Sequence, residues 1–364
     1  MAAIQIQTVT GPMPLHELGV CVTHEHVFLD SRDGFDPRPD RVAPDLKVSP
    51  ETRPKVDLHP LAVLDNLLLD DLDVAVEELS QARSAGLATL VEATSLFTGR
   101  EPARLVEASR RSGVRIVMGS GLYMERAIPE NVRAYTEAEL ERLLDADFRD
   151  GVETPHGRVR PGVLGEVGVS AGFTDVERRS LRAAARVARL HGVPLSIHLP
   201  AWDMIGHAVL DEIEAATADI RGVLLGHLNP KAHDRNYMGS LAARGAWLGL
   251  DMMGNNLDYG EGRQSPDEET NVANLAGLID AGLGDRVLLS SDVGQKNMLR
   301  RNGGQGYGHV IRMTLPSLVR RGVDEGRAQE LAEANPRRWF AEAAGYPEAS
   351  RSTNDRTSAA APAG

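Results

Sequence analysis

Eight short apolar runs, rich in β-branched residues, alternate with longer amphipathic stretches along this chain of 364 residues. The runs predict strands at residues 20–29, 87–95, 114–120, 161–169, 193–200, 221–229, 246–254 and 286–294. Between them, apolar residues recur at helical spacing, most clearly in residues 72–86, 174–192, 265–282 and 306–322, and each of these stretches ends in glycine, a common helix stop. Repeated strand–helix units favour a parallel sheet with right-handed crossovers.

Two parallel architectures fit this alternation, a closed barrel and an open doubly wound sheet. An open sheet with a dinucleotide site carries a glycine-rich turn after its first strand. Here the first predicted strand leads into FLDSRDGFDPRPDRVAPDLK, which has no GxGxxG pattern. We therefore expect an α/β fold of the (β/α)8 TIM-barrel class, with residues 1–348 as a single domain. The segment at about 30–60 is expected to cap the barrel, and residues 349–364 to form a disordered tail.

Composition narrows the function classes. The formal net charge is −12, which argues against a nucleic-acid partner. No apolar run approaches the ~18 residues of a membrane helix, so no membrane partner is expected. The single cysteine, Cys21, excludes an intrachain disulfide, and the N-terminus lacks the basic and apolar regions of a signal peptide. These features predict a cytoplasmic location.

Chemistry-bearing residues follow the predicted strands, where barrel active sites lie. His24 and His26 end the first strand, and residues i and i+2 of a strand share one face, so both can face the barrel interior and bind one ion. Two solvated histidines are the alternative interpretation of this pair. His198 and His227 end strands five and six, where each alone is typical of a satisfied core histidine.

Two carboxylates complete the set. Asp292 follows strand eight, where it is either a ligand or a helix cap, and Glu166 lies in an apolar strand, where an unpaired charge is very costly. Imidazoles and carboxylates are the ligands of zinc and similar metals. Six ligands exceed one tetrahedral sphere but suit two ions ~3.5–4 Å apart. The predicted metal ligands are His24, His26, Glu166, His198, His227 and Asp292.

The order of motifs resembles the phosphotriesterase family of the amidohydrolase superfamily over nearly all of residues 8–343. The motifs are TGPMPLHELGVCVTHEH, GSGLY, GEVG, SIHLP, GHLNP, GLDMMG and LLSSDVG. The resemblance implies a (β/α)8 barrel of metal-dependent hydrolase type. It assigns His24, His26 and Asp292 to a more buried metal, and His198 and His227 to a more exposed one.

Two positions depart from the best-known members of that family. Glu166 stands at the bridging position, where well-studied members carry a carboxylated lysine, and this resembles the glutamate-bridged branch called phosphotriesterase-related proteins. Met252 stands where lactonases acting on N-acyl homoserine lactones carry an arginine just after GLD. Tyr123 does match the active-site tyrosine of the lactonases.

These observations predict a binuclear hydrolase in which a metal-bridging hydroxide attacks a carboxyl ester or lactone bond of a small polar substrate. An amidase acting on a small N-acyl amine, a phosphotriesterase, and a metal-binding protein without turnover are the alternatives. Two divalent metals per chain are expected, zinc first, with manganese or cobalt as substitutes, and a homodimer is an open alternative to a monomer. Asp292 and Tyr123 are the expected catalytic residues, Asp292 as proton acceptor. The expected substrate-binding residues are Tyr123, Trp202, Asn229, Lys231 and Tyr237.

Overall fold

The computed structural model describes residues 4–38, 40–260 and 262–345. Eight parallel strands form one sheet in which neighbours in sequence are neighbours in space. The last strand returns beside the first, where the His26 amide donates to the Val293 carbonyl at 3.2 Å. The predicted (β/α)8 TIM barrel is confirmed. The strands are β1 Cys21–Glu25, β2 Thr89–Glu92, β3 Arg115–Ser120, β4 Val163–Gly168, β5 Leu195–His198, β6 Val223–Leu225, β7 Trp247–Leu250 and β8 Val287–Leu289.

Helices fill the crossovers and cover the outside of the barrel. Local sequence explains their ends: Thr174 caps the longest helix together with Glu177, and Gly192 ends it at φ 62°. The principal helices are α1 Leu72–Ser84, α2 Pro102–Ser112, α3 Glu137–Asp150, α4 Asp175–His191, α5 Gly206–Thr217, α6 Arg235–Ala243, α7 Glu268–Asp280, α8 Leu315–Arg320, α9 Glu325–Ala332 and α10 Ala334–Ala343. Two single-turn helices, Arg53–Val56 and Glu130–Arg133, lie in the loops.

The helix predicted over 306–322 begins later than its pattern indicates. A π-helical turn, Val310–Thr314, precedes α8. Pro316 has no N–H to donate to the carbonyl of Arg312, so the regular α-helical ladder is interrupted at this point. Gly306, at φ 60°, lies outside the helix. The glycine-rich stretch before the turn therefore belongs to the loop that follows β8.

A separate apolar cluster plugs the amino end of the barrel. It combines side chains from seven barrel strands with those of an N-terminal hairpin, Gln5–Thr8 and Gly11–Pro14, and of α10. Trp339 of α10 is fully buried, and its indole N–H donates to the Gly222 carbonyl at 2.9 Å. Because this end is closed, the functional site is confined to the carboxyl end. No helix in the described ranges has the length and hydropathy to cross a bilayer.

The segment expected to cap the barrel contains a short antiparallel pair with the chain that follows it, Leu29–Asp30 with Leu68–Leu69. Its own small core consists of Val42, Val56, Ala62 and Val63. All residues from Leu29 to Asp36 except Arg32 line the cavity over the barrel mouth, together with Leu61. The tail predicted at 349–364 lies outside the described residues.

Candidate metal centre

The strand ends bring all six predicted ligands to one place at the barrel mouth. His24 lies in β1, Glu166 in β4 and His198 at the end of β5. His26 follows β1 directly, whereas His227 and Asp292 lie in the turns after β6 and β8 with φ angles of 58° and 48°. Left-handed backbone is uncommon for residues other than glycine and clusters at functional sites, so both turns are shaped to hold a side chain.

Glu166 lies at the centre of the group. Its Oε2 is 3.3 Å from His24 Nε2, and its Oε1 is 3.5 Å from His26 Nε2. On the other side, Asp292 Oδ1 lies 3.4 Å from His26 Nε2 and 3.7 Å from His24 Nε2. The Glu166 carboxylate therefore faces both histidines of the HxH motif. A second carboxylate, that of Asp292, approaches the same two histidines from the turn after β8.

His198 and His227 face the same carboxylate from the opposite side. His198 Nδ1 lies 3.1 Å from Glu166 Oε2, and His227 Nε2 lies 3.8 Å from the same oxygen. The two ring nitrogens are 2.7 Å from each other. If one of these nitrogens carries a proton, only the lone pair of the other is satisfied by the contact. A cation beside both nitrogens would satisfy both lone pairs together.

His24 gives the clearest test of whether these residues suit a metal. Its side chain is fully buried, and neither ring nitrogen has an aligned hydrogen-bond partner among the described residues. Leaving buried polar atoms without partners is costly, and a bound cation removes that cost. Ligand atoms within 4.8 Å of one another occur in two sets, His24 with Glu166 and His227, and His24 with His26 and Asp292. The two sets share His24, and the donors of each set suit a divalent metal ion.

The electrostatics agree with this fit. Burial by itself would raise the pKa of Glu166, but His24 and His198 hold that pKa well below its usual value. Asp292 behaves alike: its pKa is lowered by His26, His227 and His24 in spite of burial. Burial opposes protonation of His24, yet the carboxylates raise the pKa of this histidine to about 9. In metal-free protein these protons take the position of a cation, and binding a metal would release them.

Residues behind the ligands orient their rings. Asp251 Oδ1 accepts from His227 Nδ1 at 2.9 Å and from the His227 amide, and these two bonds orient the His227 ring. Glu25 points away from the site and accepts from Ser290 Oγ and from the amides of Ser291 and Val293, each at 2.8 Å. Glu25 thereby connects β1 to the turn after β8.

Thr94 and Glu92 orient another ring, that of His26, and neither residue was predicted from the sequence. Thr94 Oγ1 lies 2.9 Å from His26 Nδ1 and donates to Glu92 Oε1 at 2.5 Å. Glu92 is fully buried at the end of β2. Glu92 could have been identified from the sequence LVEATS, because it is a carboxylate at the end of an apolar strand. The same signal identified Glu166.

A cavity of about 570 Å³ opens above the cluster. Five of the six ligands line its base, and His24 lies beneath them. Tyr123 and Trp202 line the cavity as expected, and the Tyr123 hydroxyl is 3.3 Å from His198 Nε2. Tyr259, Arg126 and Arg263 also line it and were not identified in the sequence, since each lies on a loop without a motif.

Three expected substrate-binding residues do not line this cavity. Asn229 is fully buried, with its amide bonded to Asn271 Oδ1 and its Oδ1 accepting from the Met252 amide. The hydroxyl of Tyr237, in α6, accepts from the Gly206 amide outside the barrel wall. Lys231 lies in the turn after β6 and is partly exposed. The turn after β6 carries these side chains away from the mouth, so their proximity in sequence to His227 does not place them at the site.

Comparison with known proteins agrees with this architecture. The model of the phosphotriesterase family matches residues 4–340. An N-acetyltaurine hydrolase of Salmo salar is 28% identical over 342 residues, which are 92% of this chain and 97% of the relative. A phosphotriesterase-related protein of Nematostella vectensis is 26% identical over 350 residues, 93% of this chain and 99% of the relative. The crystal structure of a resiniferatoxin-binding protein from Rhodobacter sphaeroides is 38% identical, with a TM-score of 0.88 over 92% of this chain and 94% of that one. This chain belongs to the phosphotriesterase family.

Proposed function

We propose that this member of the phosphotriesterase family is a metal-dependent hydrolase that cleaves the amide bond of an N-acylated amine. The observation that carries the proposal is the convergence of six candidate ligands at the base of an open cavity, among them His24, whose ring nitrogens have no aligned hydrogen-bond partner in the described part of the chain. The sequence by itself predicted hydrolysis of an ester or a lactone, with amide hydrolysis as an alternative. The relatives named N-acetyltaurine hydrolase favour its amidase alternative instead, because their name describes cleavage of an N-acyl bond.

In this proposal His24, His26 and Asp292 would hold one ion and His198 and His227 would hold the other, with Glu166 within reach of both groups. When bound, two divalent cations supply Lewis acidity and lower the pKa of water. Zinc is the first candidate, with manganese and cobalt as alternatives, because imidazole and carboxylate ligands suit all three.

In this proposal two side chains act on the reacting groups: Asp292 accepts and transfers a proton, and Tyr123 donates a hydrogen bond to the substrate carbonyl oxygen. Asp292 has a side chain 21% exposed at the cavity base, and its pKa is lowered by His26 despite burial, so it is ionised and able to accept a proton. We assign it the transfer of that proton to the leaving amine. Burial, followed by the Glu166 charge, raises the pKa of Tyr123 well above its ordinary value, so its hydroxyl stays protonated. From the cavity wall it can donate to the carbonyl oxygen as negative charge develops.

A substrate panel tests the reaction class. Metal-loaded protein is assayed with N-acyl amines that include N-acetyltaurine, with esters and lactones of matched acyl groups, and with a paraoxon-like triester. Chelated protein supplies the background rate. We expect N-acyl amines to be hydrolysed with the highest kcat/KM of the panel. The proposal fails if esters, lactones or triesters exceed every amide by more than about 10²-fold, a gap of ~2.7 kcal/mol in transition-state binding.

A further inference from the structure

The cavity above the metal centre is much larger than an acetyl group requires. Its volume is about 570 Å³, within the ~300–1,000 Å³ range of sites that hold drug-sized ligands. We propose that it binds a bulky apolar acyl group, a chain of about six or more carbons or an aryl-acyl group, next to the bond that is cleaved. The inference rests on the proposed amide hydrolysis for the identity of the bond, but not for the identity of the acyl group.

Apolar side chains from separate loops form the walls. Leu199 follows β5, Met252 follows β7 and Met298 follows β8, and their exposures are 1%, 4% and 3%. Trp202 and Tyr259 form an aromatic pair with ring centroids 5.5 Å apart. Methionine adapts to irregular apolar ligands, and aromatic rings bury large areas at low conformational cost. The walls therefore favour hydrocarbon or aromatic surface.

Hydrogen bonds hold two of these wall residues in place. The Trp202 indole N–H donates to the Gln264 carbonyl at 3.4 Å, and the Tyr259 hydroxyl accepts from Asn255 Nδ2 at 3.0 Å. The Trp202 N–H is thereby used within the protein, and the Tyr259 hydroxyl is held by Asn255. Their apolar faces remain to contact a ligand.

Each aspartate that the cap contributes to the cavity wall is paired with an arginine, two of them within the cap and one from the loop after β3. Asp30 bonds to Arg32 at 2.6 Å, Asp33 to Arg126 at 2.8 Å and Asp36 to Arg38 at 2.6 Å. Each aspartate on this side therefore has a guanidinium beside it, so the cap adds little net charge. This arrangement suits an uncharged acyl group better than the small polar substrate expected from the sequence, and Lys231, one of the residues expected to bind that substrate, does not line the cavity.

Two matched series of substrates test the inference, one of amides and one of esters. Within each series the leaving group is constant and the acyl group is acetyl, butanoyl, hexanoyl, octanoyl or phenylacetyl. Burial of a methylene stabilises by ~0.8 kcal/mol, which is about fourfold in rate or affinity. Four added methylenes from acetyl to hexanoyl should raise kcat/KM on the order of 10²-fold. Inhibition constants of hexanoate and acetate, measured against the best substrate or by calorimetry on metal-loaded protein, should differ in the same direction.

Variants locate the effect. Trp202→Ala should lower kcat/KM for hexanoyl substrates about 10-fold while changing the acetyl value by less than about threefold. The matched control is Leu190→Ala, which removes an apolar side chain that is 71% exposed on α4 and does not line the cavity. It should leave the chain-length dependence unchanged.

The outcomes separate this inference from the reaction class. A chain-length dependence in the ester series without amide hydrolysis would support the acyl pocket and refute the amidase proposal. Amide hydrolysis with acetyl as good as hexanoyl, or equal inhibition by acetate and hexanoate, would overturn the acyl pocket and leave the amidase proposal intact. If Trp202→Ala and Leu190→Ala lower hexanoyl turnover equally, the assignment of the aromatic wall is wrong.

Discussion

At the scale of single residues, the direction of one hydrogen-bond chain determines which nitrogen of His26 can bind a metal. Glu92 Oε1 accepts from the Val27 amide at 3.2 Å and from Thr94 Oγ1. The hydroxyl proton of Thr94 is used in that bond, so its oxygen must accept from His26 Nδ1–H. The lone pair of Nε2 is then directed at Glu166 and Asp292. Glu92 and Thr94 are therefore positioning residues for this ligand.

Thr94→Val tests that role, because valine keeps the shape and removes the hydroxyl. Affinity for metal should fall ~10- to 100-fold, the usual cost of losing a group that orients a metal-bound histidine. Competition with a chromophoric chelator measures it without any substrate. Thr94→Ser retains the hydroxyl and should restore most of the affinity. Unchanged affinity in the valine variant would show that packing alone orients His26.

Asp292 combines ligation with proton transfer, and Asp292→Asn separates the two. Asparagine keeps one oxygen for the metal but cannot accept the proton, so kcat should fall by ~10²-fold or more. Steady-state kinetics and elemental analysis are measured on the same sample. Asp203→Asn, an exposed residue of the same cavity, is the control. Turnover near wild type with the metal retained would show that Asp292 is a ligand only.

At the scale of elements, the contact between β1 and the chain after β8 closes the barrel and depends on Glu25. This fully buried carboxylate receives donors from Ser290, Ser291 and Val293. The same turn carries Asp292, so barrel closure and the placement of a ligand are one structural event. Burial raises the pKa of Glu25 from its ordinary value to about 7, against the opposing effect of those donors.

Glu25→Gln should lower the free energy of unfolding by ~1–3 kcal/mol at pH 5, because the amide nitrogen of glutamine cannot accept a hydrogen bond, whereas both carboxyl oxygens accept from the turn after β8. The folded protein holds the Glu25 proton up to pH of about 7, whereas the unfolded chain loses it near 4.5. This contribution to stability is therefore present below pH 4.5 and lost as pH rises through 7, so the deficit of the glutamine variant should narrow.

Urea unfolding at pH 5, 6, 7 and 8 checks this, with Glu17→Gln at an exposed position as the control. A deficit that does not change with pH would contradict the raised pKa. A deficit shared equally by the control would contradict the role of Glu25 in closure.

At the scale of the whole molecule, ligands contributed by five strands, β1, β4, β5, β6 and β8, make metal binding part of barrel stability. Only the folded chain assembles this set, so binding stabilises it, by ~2.7 kcal/mol per site when free metal is 100-fold above Kd. Protein purified without chelator should contain two ions per chain by elemental analysis. Calorimetry should show a Tm lowered by several degrees after chelation and restored by zinc. A reproducible content of one ion with full activity would contradict the binuclear assignment.

The order of elements could be predicted from the sequence because strand and helix signals are local, and the candidate ligands could be named because each of them follows or ends a predicted strand. Three signals indicated that His24, His198 and Asp292 lie at the same end of the barrel. Side chains of a strand alternate with a period of two residues, glycines end the helices, and the carboxyl ends of parallel strands meet at one rim. Each of these signals lies within about twenty residues, and local backbone preferences decide them.

Only the tertiary structure decided the pairing of side chains across strands and the composition of the cavity. Thr94 meets His26 across 68 positions, and the cavity wall combines residues such as Leu61, Trp202 and Tyr259 from three loops. Loop paths and side-chain rotamers depend on long-range packing, so proximity in sequence was misleading for Lys231 and Tyr237. The same packing, rather than any motif, determines which side chains line the cavity.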